Sequence, residues 1–494
     1  MKPTDISVPD YFHKVVDCQW ACPAHTPVPE YIRLIAAGRY DDAYMVNWQS
    51  NVFPGILGRT CDRPCEPACR RGRVEDGENK APGAKPEPVA ICRLKRVAAD
   101  FKNDIRGMLP KRAQCNGKRV ALVGGGPASL TVARDLAPLG YECVIFDGDA
   151  QAGGMIRSQI PKFRLPESVI DEEVGYVIDL GIEFRGGSRV DSLEALLAEG
   201  HNGGGGAKFD AVFIGSGAPR GRDLDIPGRK EAAKNIHIGI DWLSSVSFGH
   251  IDKIGKRVIV LGGGNTAMDC CRSSRRLGGE DVKVIVRSGF DEMKASPWEK
   301  EDAMHEGIPI INFHVPKAFV HEYGKLTGVL FEKVAAKVDD KGRRQLVPTG
   351  EPDVHFACDD VLVAVGQENA FPWIERDTGI EFGSNGLPVL DQVTFASTLP
   401  NVFFGGDAAF GPKNIIWAVA HGHEAAISID LYCQGKDTTH RPPPMVNLAS
   451  QKMGIHEWSY DNGVSNDARF KVPLKDVSIA LKNIKVEVEL GFDA

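Results

Sequence analysis

Hydrophobic and polar positions follow two regimes along the chain. From Pro27 to Trp48, "PVPEYIRLIAAGRYDDAYMVNW", apolar residues recur at helical spacing with a break at Gly38, which predicts two short helices. "AICRLKRVAADF" (90–101) resumes the helical period. The stretch between them, 72–90, is rich in Gly, Pro and charge and reads as loop. The regime changes at Lys118. "KRVALVGGGPASLTVARDLAPLGYECVIFDGD" reads as strand, glycine turn, helix and strand, and the segment from Lys256, "KRVIVLGGGNTAMDCCRSSRRLGGEDVKVIVRS", repeats it. "FDAVFIGSG", behind a glycine-rich run, and "DDVLVAVGQ" (359–367) add buried strands. "HRPPPMVNLASQ" reads as a linker, and the tail to Ala494 alternates weakly. The expected fold class is α/β, with a small helical region in front.

Length and composition narrow this. A chain of 494 residues exceeds a single core and predicts about three domains. The net charge of −7 argues against a nucleic-acid binder, which would carry a basic face. No window approaches the roughly 18 apolar residues of a membrane span. The start, "MKPTDISVPDYFHKVVDC", has neither an apolar h-region nor a small-residue cleavage site. The expectation is a cytoplasmic protein with reduced thiols, which makes disulfides the weakest use of its cysteines.

Those cysteines are unevenly spread. Seven of the twelve, at 18, 22, 61, 65, 69, 92 and 115, precede residue 116. "CDRPCEPACRRG" (61–72) spaces three of them by four, and Cys18 and Cys22 share that spacing. Zinc and an iron–sulfur cluster both suit such a set. Cys143, in the apolar "ECVIFD", reads as core, and the adjacent Cys270 and Cys271 lack the C-x-x-C spacing of a redox pair.

The glycine turns carry the next signal. Gly124, Gly126 and Ser129 fit G-x-G-x-x-small directly after a strand. The first glycine makes the tight turn, the second lets the backbone approach a pyrophosphate, and the small residue lets helix and strand pack. The following helix presents its N-terminal amides to phosphate. Asp147, at the end of the next strand, is placed to bind ribose hydroxyls. The second fingerprint uses Gly262, Gly264 and Ala267, and its second strand leads to Arg287 and Ser288 rather than to an acid. An arginine there suits the 2′-phosphate of NADP over NAD, or is a solvated surface charge. Near the end, Gly405-Gly406-Asp407 lies between a strand and a helix, where an aspartate can hold a flavin's ribityl chain.

The segments "GGGPASLTVARDL", "GGMIRSQIPKFRLP", "FIGSGAPRGRDLDIPG", "GGGNTAMDCCR", "VRSGFDEMKASP" and "FFGGDAAFGP" together resemble the small subunit of glutamate synthase and its relatives, including the flavin half of dihydropyrimidine dehydrogenase. The resemblance runs from about residue 15 to 435. It implies two Rossmann-like domains of glutathione-reductase type, the NAD(P) domain inserted in the FAD domain, behind a helical iron–sulfur domain. The implied division is 1–115 iron–sulfur, 116–240 and 368–440 FAD, 241–367 NAD(P), and 441–494 a tail that could dock a partner. Relatives hold two clusters, one starting from a C-x-x-C upstream of the match to Cys18. That pair is missing here, so the resemblance implies one 4Fe–4S cluster on Cys22, Cys61, Cys65 and Cys92, with Cys18 and Cys69 left over. It also implies cofactor contacts at Pro127, Ala128, Gly154, Arg164, Asn265, Thr266, Gly366, Gly406 and Ile416. Pro161 and Phe163 fall in the segment expected to line the flavin. Relatives carry two arginines where this chain has Arg287 and Ser288.

The cofactors expected are thus FAD, NADP (or NAD) and a 4Fe–4S cluster. The expected activity is electron transfer between NAD(P)H and an iron–sulfur partner, a ferredoxin or a larger catalytic subunit in a hetero-oligomeric complex. No side chain is assigned as a catalytic acid or base, because the chemistry belongs to the cofactors. His421 and His423 either reach the flavin end or are ordinary helix positions. The rival readings are a stand-alone NAD(P)H-dependent reductase of a small molecule and a nucleotide-binding redox sensor.

Overall fold

The computed structural model describes residues 16–72, 87–199, 208–338, 344–442 and 469–491. Most of the 72–90 loop, the glycine-rich run before Phe209 and the linker after residue 442 lie outside the described residues.

The N-terminal region is helical. Val28–Ala36 and Tyr40–Asn51 flank Gly38, whose φ of 70° gives the left-handed turn the break requires. Pro54–Thr60 and Ile91–Phe101 complete the bundle. These last two pack so closely that a Cβ on Gly58 would lie 2.7 Å from the Arg96 backbone.

Two parallel sheets follow. The first has the strand order Val402–Phe404, Ala211–Ile214, Arg119–Val123, Glu142–Phe146, Glu183–Arg185. The second orders Ile236–Ile238, Asp360–Val363, Arg257–Leu261, Asp281–Ile285, Ile310–Ile311. An antiparallel sheet led by His314–Glu322 and Lys325–Val338 is appended to the second unit. The chain leaves the first sheet after Ile214 and returns at Val402, so the second unit is an insertion. Both crossings run side by side, since Gln367–Glu368 pairs antiparallel with Arg220–Gly221. The second unit begins before the expected boundary at residue 241, because Ile236–Ile238 belongs to its sheet. That strand, "IHI", is too short and polar at its centre to be read from periodicity.

Three sets of buried polar contacts fix these bodies to one another. Glu173, on helix Glu167–Ile178 of the first nucleotide unit, is 1% exposed. It accepts from the Gly55 amide (2.6 Å), the Ile56 amide (2.9 Å) and the Tyr44 hydroxyl (2.9 Å) of the helical domain. Arg164 donates to both oxygens of Asp269 (2.6 and 2.8 Å) and to Glu299, in the second unit. Finally, the tail folds back onto the molecule. Glu487 pairs with Arg59 (2.8 Å) and Arg96 (3.1 Å), Glu489 with Arg93 and Arg96, and Arg469 with Glu66 (2.7 Å). Residues 469–491, part of the segment expected to dock a partner, thus make contacts within this chain; 443–468 and 492–494 lie outside the described residues.

Burial pushes Glu173 up to about 7, against the pull of the two amides and the Tyr44 hydroxyl. The unfolded chain therefore releases this proton first as pH rises. The group's stabilising contribution is complete below about pH 4.5 and is lost as pH climbs through 7, by about 3 kcal/mol. Glu173→Gln should remove that slope. Thermal unfolding of variant against wild type, followed from about pH 5 to about pH 8, should swing in the variant's favour; a constant difference would rule out this ionisation as the cause.

Candidate functional site: a dinucleotide cleft beside a thiol cluster

The larger cleft, of about 640 Å³, opens at the carboxyl ends of the first sheet. Its floor is the first fingerprint. Gly124 has φ 96°, and a Cβ there would come within 2.7 Å of the Gly215 carbonyl oxygen. Gly126 caps helix Pro127–Leu136, and a Cβ on it would meet nothing within 4 Å, so its backbone faces the open cleft. Ser129 is fully buried, packed where helix meets strand end. Gly154 (φ 54°) closes on Gly126, with 2.9 Å from a Cβ to the Gly126 Cα. Asp147 accepts from the amides of Gly125 and Asp149, and burial raises its pKa.

At the far end, Asp407 begins a short helix behind Gly406, whose φ is 61°. Burial pushes its carboxyl up to about 6, against the Lys413 amide that donates to it at 3.0 Å. Lys413, Asn414 and Ile415 line the wall there, at the start of the long helix Ile415–Cys433. Asn414 caps that helix by accepting from the Trp417 amide at 3.3 Å. Gln159 and Gln367 meet across the cleft at 3.2 Å.

Several expected contacts lie elsewhere. Ile416 is 1% exposed and points into the core, and its neighbour Ile415 is the one that lines the cleft. Arg164 is turned away, its guanidinium taken by Asp269 and Glu299. Phe163 is buried against Ala480 and Val488 of the tail, under the guanidinium of Arg276 at 3.8 Å. Gly366 (φ 128°) is not in the lining; it turns the chain just before Gln367, which is. His421 packs among Phe395, Phe410 and Trp417, and burial lowers its pKa to about 4. His423 bridges Asp135 and the Ser50 carbonyl. Neither histidine lines the cleft.

The second fingerprint stands at the start of helix Asn265–Arg276. Gly262 has φ 142°, and a Cβ there would lie 2.1 Å from the Ala364 carbonyl oxygen. Gly264 caps the helix with open space beside it, Thr266 is half-buried, and Ala267 is fully buried. Arg287 is exposed and has no ion-pair partner among the described residues.

The thiols gather on the other side. Interaction with Cys61 and Cys65 holds the Cys92 thiol well below its ordinary range, and interaction with Cys92 raises the other two. Cys22 shares a buried cluster with Cys61 and Cys92, and its Sγ donates to Thr26 Oγ1 at 3.5 Å. All four are at most 6% exposed. Among the described residues no three or more His, Cys, Asp or Glu side chains surround a point at metal-binding geometry. The fit to a 4Fe–4S cluster thus rests on the donor set: four buried cysteines, reached from three separate segments of the helical domain. Cys18 stands apart, half-buried, its thiol pushed up to about 11 by burial and then by Cys69.

One residue joins cleft, second fingerprint and thiols. Asp62, next to Cys61, accepts from Asn414 Nδ2 (2.8 Å), Asn265 Nδ2 (3.2 Å) and Ser296 Oγ (3.2 Å). Arg63 stacks on the Trp298 ring at 3.9 Å. The sequence reading missed Asp62 and Asn414. Asn before an apolar helix is a capping signal that could have found the latter; nothing local marks the former.

Residues 118–422 match the model of the pyridine nucleotide-disulphide oxidoreductases. The chain belongs to this family. Residues 12–106 match a second model, dihydropyrimidine dehydrogenase domain II, 4Fe-4S cluster. The oxidoreductase family model implies FAD and pyridine-nucleotide sites, and the helical domain is of the 4Fe–4S type. The beta subunit of an NADP(+)-dependent formate dehydrogenase from Moorella thermoacetica is 33% identical over 96% of this chain and 68% of its own. The beta subunit of a Geobacter sulfurreducens NADPH-Fe(3+) oxidoreductase is 32% identical over 87% of this chain and 66% of its own. The small chain of glutamate synthase [NADPH] from Mycobacterium tuberculosis is 30% identical over 86% of this chain and 87% of its own. The chain thus spans about two thirds of the first two relatives. Among solved structures, FprA from M. tuberculosis (18% identity, 64% of this chain and 85% of that one, TM-score 0.53) shares the fold. So does thioredoxin reductase from Lactococcus lactis (21%, 64% and 99%, TM-score 0.50).

Gly262→Ala should drive the Ala364 carbonyl out of place. NADPH affinity is expected to fall at least tenfold, about 1.4 kcal/mol, with FAD content unchanged. Titration of the flavin-loaded protein with NADPH reads both, and equal affinity would remove this turn from the nucleotide site.

Proposed function

We propose that the chain is the pyridine-nucleotide subunit of a larger redox assembly, moving electrons between NADPH and an iron–sulfur partner protein or larger catalytic subunit. The observation that carries this reading is the Asp62 junction, which puts the cysteine loop against the N-terminal ends of the helices of both nucleotide units. FAD supplies the exchange between two-electron hydride chemistry and one-electron transfer. This chain's residues do the holding. Gly124, Gly126, Pro127, Ala128 and Gly154 present backbone to a pyrophosphate, and Asp147 and Asp407 offer carboxylates to hydroxyls at the two ends of the cleft. Cys22, Cys61, Cys65 and Cys92 hold the cluster, and Arg287 reads the 2′-phosphate. Among the described residues no helix is long and apolar enough to cross a membrane. We assign the protein to the cytoplasm because the four cysteines given to the cluster must stay free of disulfides, as they do in a reducing compartment.

Cys92→Ser should abolish or destabilise the cluster and stop reduction of one-electron acceptors, while NADPH still bleaches the flavin bands. The wild type, purified anaerobically, should hold about four irons per chain. About eight would mean a second cluster that includes Cys18 and Cys69. Zinc in place of iron would remove the second electron carrier and sink the reading.

Arg287→Ala should raise the KM for NADPH about ten- to hundredfold, the loss of one charge-assisted phosphate contact, and leave that for NADH nearly unchanged. Steady-state kinetics with both nucleotides decide it, and parallel increases would show that Arg287 does not read the phosphate.

A further inference from the structure

Helix Ile91–Phe101 carries three buried cations, Arg93, Lys95 and Arg96, at 7%, 4% and 3% exposure. Two are neutralised. Arg93 pairs with Glu489, and Arg96 with Asp100 (2.9 Å), Glu487 (3.1 Å) and Glu489 (3.1 Å). Lys95 has no ion pair and no hydrogen bond among the described residues. It lies three positions after Cys92, hence on the same helix face. Burial opposes its charge, and the sulfurs of Cys92, then Cys61, Cys22 and Cys65, favour it.

A buried ammonium without a carboxylate costs several kcal/mol unless other negative charge compensates it. Cys92, one turn earlier on the same helix face, places a sulfur there to do so. Arg63, another cation beside Cys92, is committed to the Trp298 face in the second nucleotide unit.

We propose that Lys95 is the built-in counter-ion of the thiol site and raises the reduction potential of the cluster it holds. The proposal rests on the 4Fe–4S assignment above. A cluster on four thiolates gains one negative charge when it takes up one electron. A fixed cation at short range in a low-dielectric pocket stabilises that more negative state over the oxidised one. Lys95 thereby makes the cluster a better acceptor than the same four cysteines alone would provide.

The test compares wild type with Lys95→Met, which keeps the length and removes the charge, and Lys95→Arg, which keeps the charge. The full chain is purified anaerobically, iron is counted, and the midpoint potential is read by EPR-monitored titration. Lys95→Met should disfavour cluster reduction at least tenfold, 59 mV for one electron, and Lys95→Arg should stay within that of wild type. A Lys95→Met protein with full iron and an unchanged midpoint overturns the proposal. If Lys95→Met loses its iron, a Lys95→Arg protein that keeps both iron and midpoint supports the charge, and loss in both variants overturns it. Absence of iron from the wild type would instead overturn the cluster assignment on which the proposal rests.

Discussion

The carboxylate of Asp62 joins all three bodies of this molecule. It takes one hydrogen bond from the cap of the helix that closes the FAD-type cleft, and two from the starts of helices Asn265–Arg276 and Pro297–His305 in the second nucleotide unit. Asn414 and Asn265 stand at the first turns of their helices, where the positive ends of two helix dipoles favour a negative charge. Because Asp62 is bonded to Cys61, about 3.8 Å separates the Cα of a candidate ligand from that of the residue holding the junction. The cysteine loop therefore cannot shift without moving a contact at each nucleotide site. A protein whose task is to pass electrons among three centres needs this kind of shared anchor more than it needs a catalytic acid or base.

The two nucleotide units meet through a buried ion pair that continues into a network inside the second unit, and its energetics differ from its appearance. Arg164 faces Asp269 and Glu299, while Arg272 and Arg276 converge on Glu306. Burial, with Glu299 close by, raises Asp269 to about 6 despite its arginine partner, a sign that desolvation outweighs the attraction. Such a network adds little net stability, but removing one member strands a buried charge at a cost of about 3–5 kcal/mol. Its effect is to make one relative orientation of the two nucleotide units far better than its neighbours. That explains why an arginine expected to face the flavin is spent on the seam.

What was legible in the sequence follows from the range of the physics. Gly124, Gly262 and Gly406 could be read because a positive φ or a close backbone approach is a local demand that few other residues meet. The helices either side of Gly38 and the strands beside each glycine turn were legible for the same reason. The distinction between Ile415 and Ile416 was not, since it depends on which face of one helix turns toward a cleft built by residues nearly 300 positions earlier. Arg164 was read by its neighbourhood in the chain, but its partners lie 105 and 135 residues away. Asp62 is further from local inference still, with partners 203 and 352 residues distant. The tail carries no motif at all, and its role appears only in where it lands.

That landing place bears on the charge around the thiols. Without Glu487 and Glu489, the helical domain would present Arg59, Arg93 and Arg96 as buried or nearly buried cations close to Lys95. Their combined field would act on the cysteines from one side. The two tail glutamates, with Asp100, offset all three guanidinium groups and leave Lys95 as the cation of this helix without a carboxylate partner among the described residues. The alternation seen at "KVEVEL" serves this end. Glu487 and Glu489 point one way onto the arginines, while Val488 between them points the other way into the contact with Phe163 and Ala480. A segment with no motif of its own thus neutralises the guanidinium groups of the helix that carries Cys92, from 393 and 396 residues away in sequence.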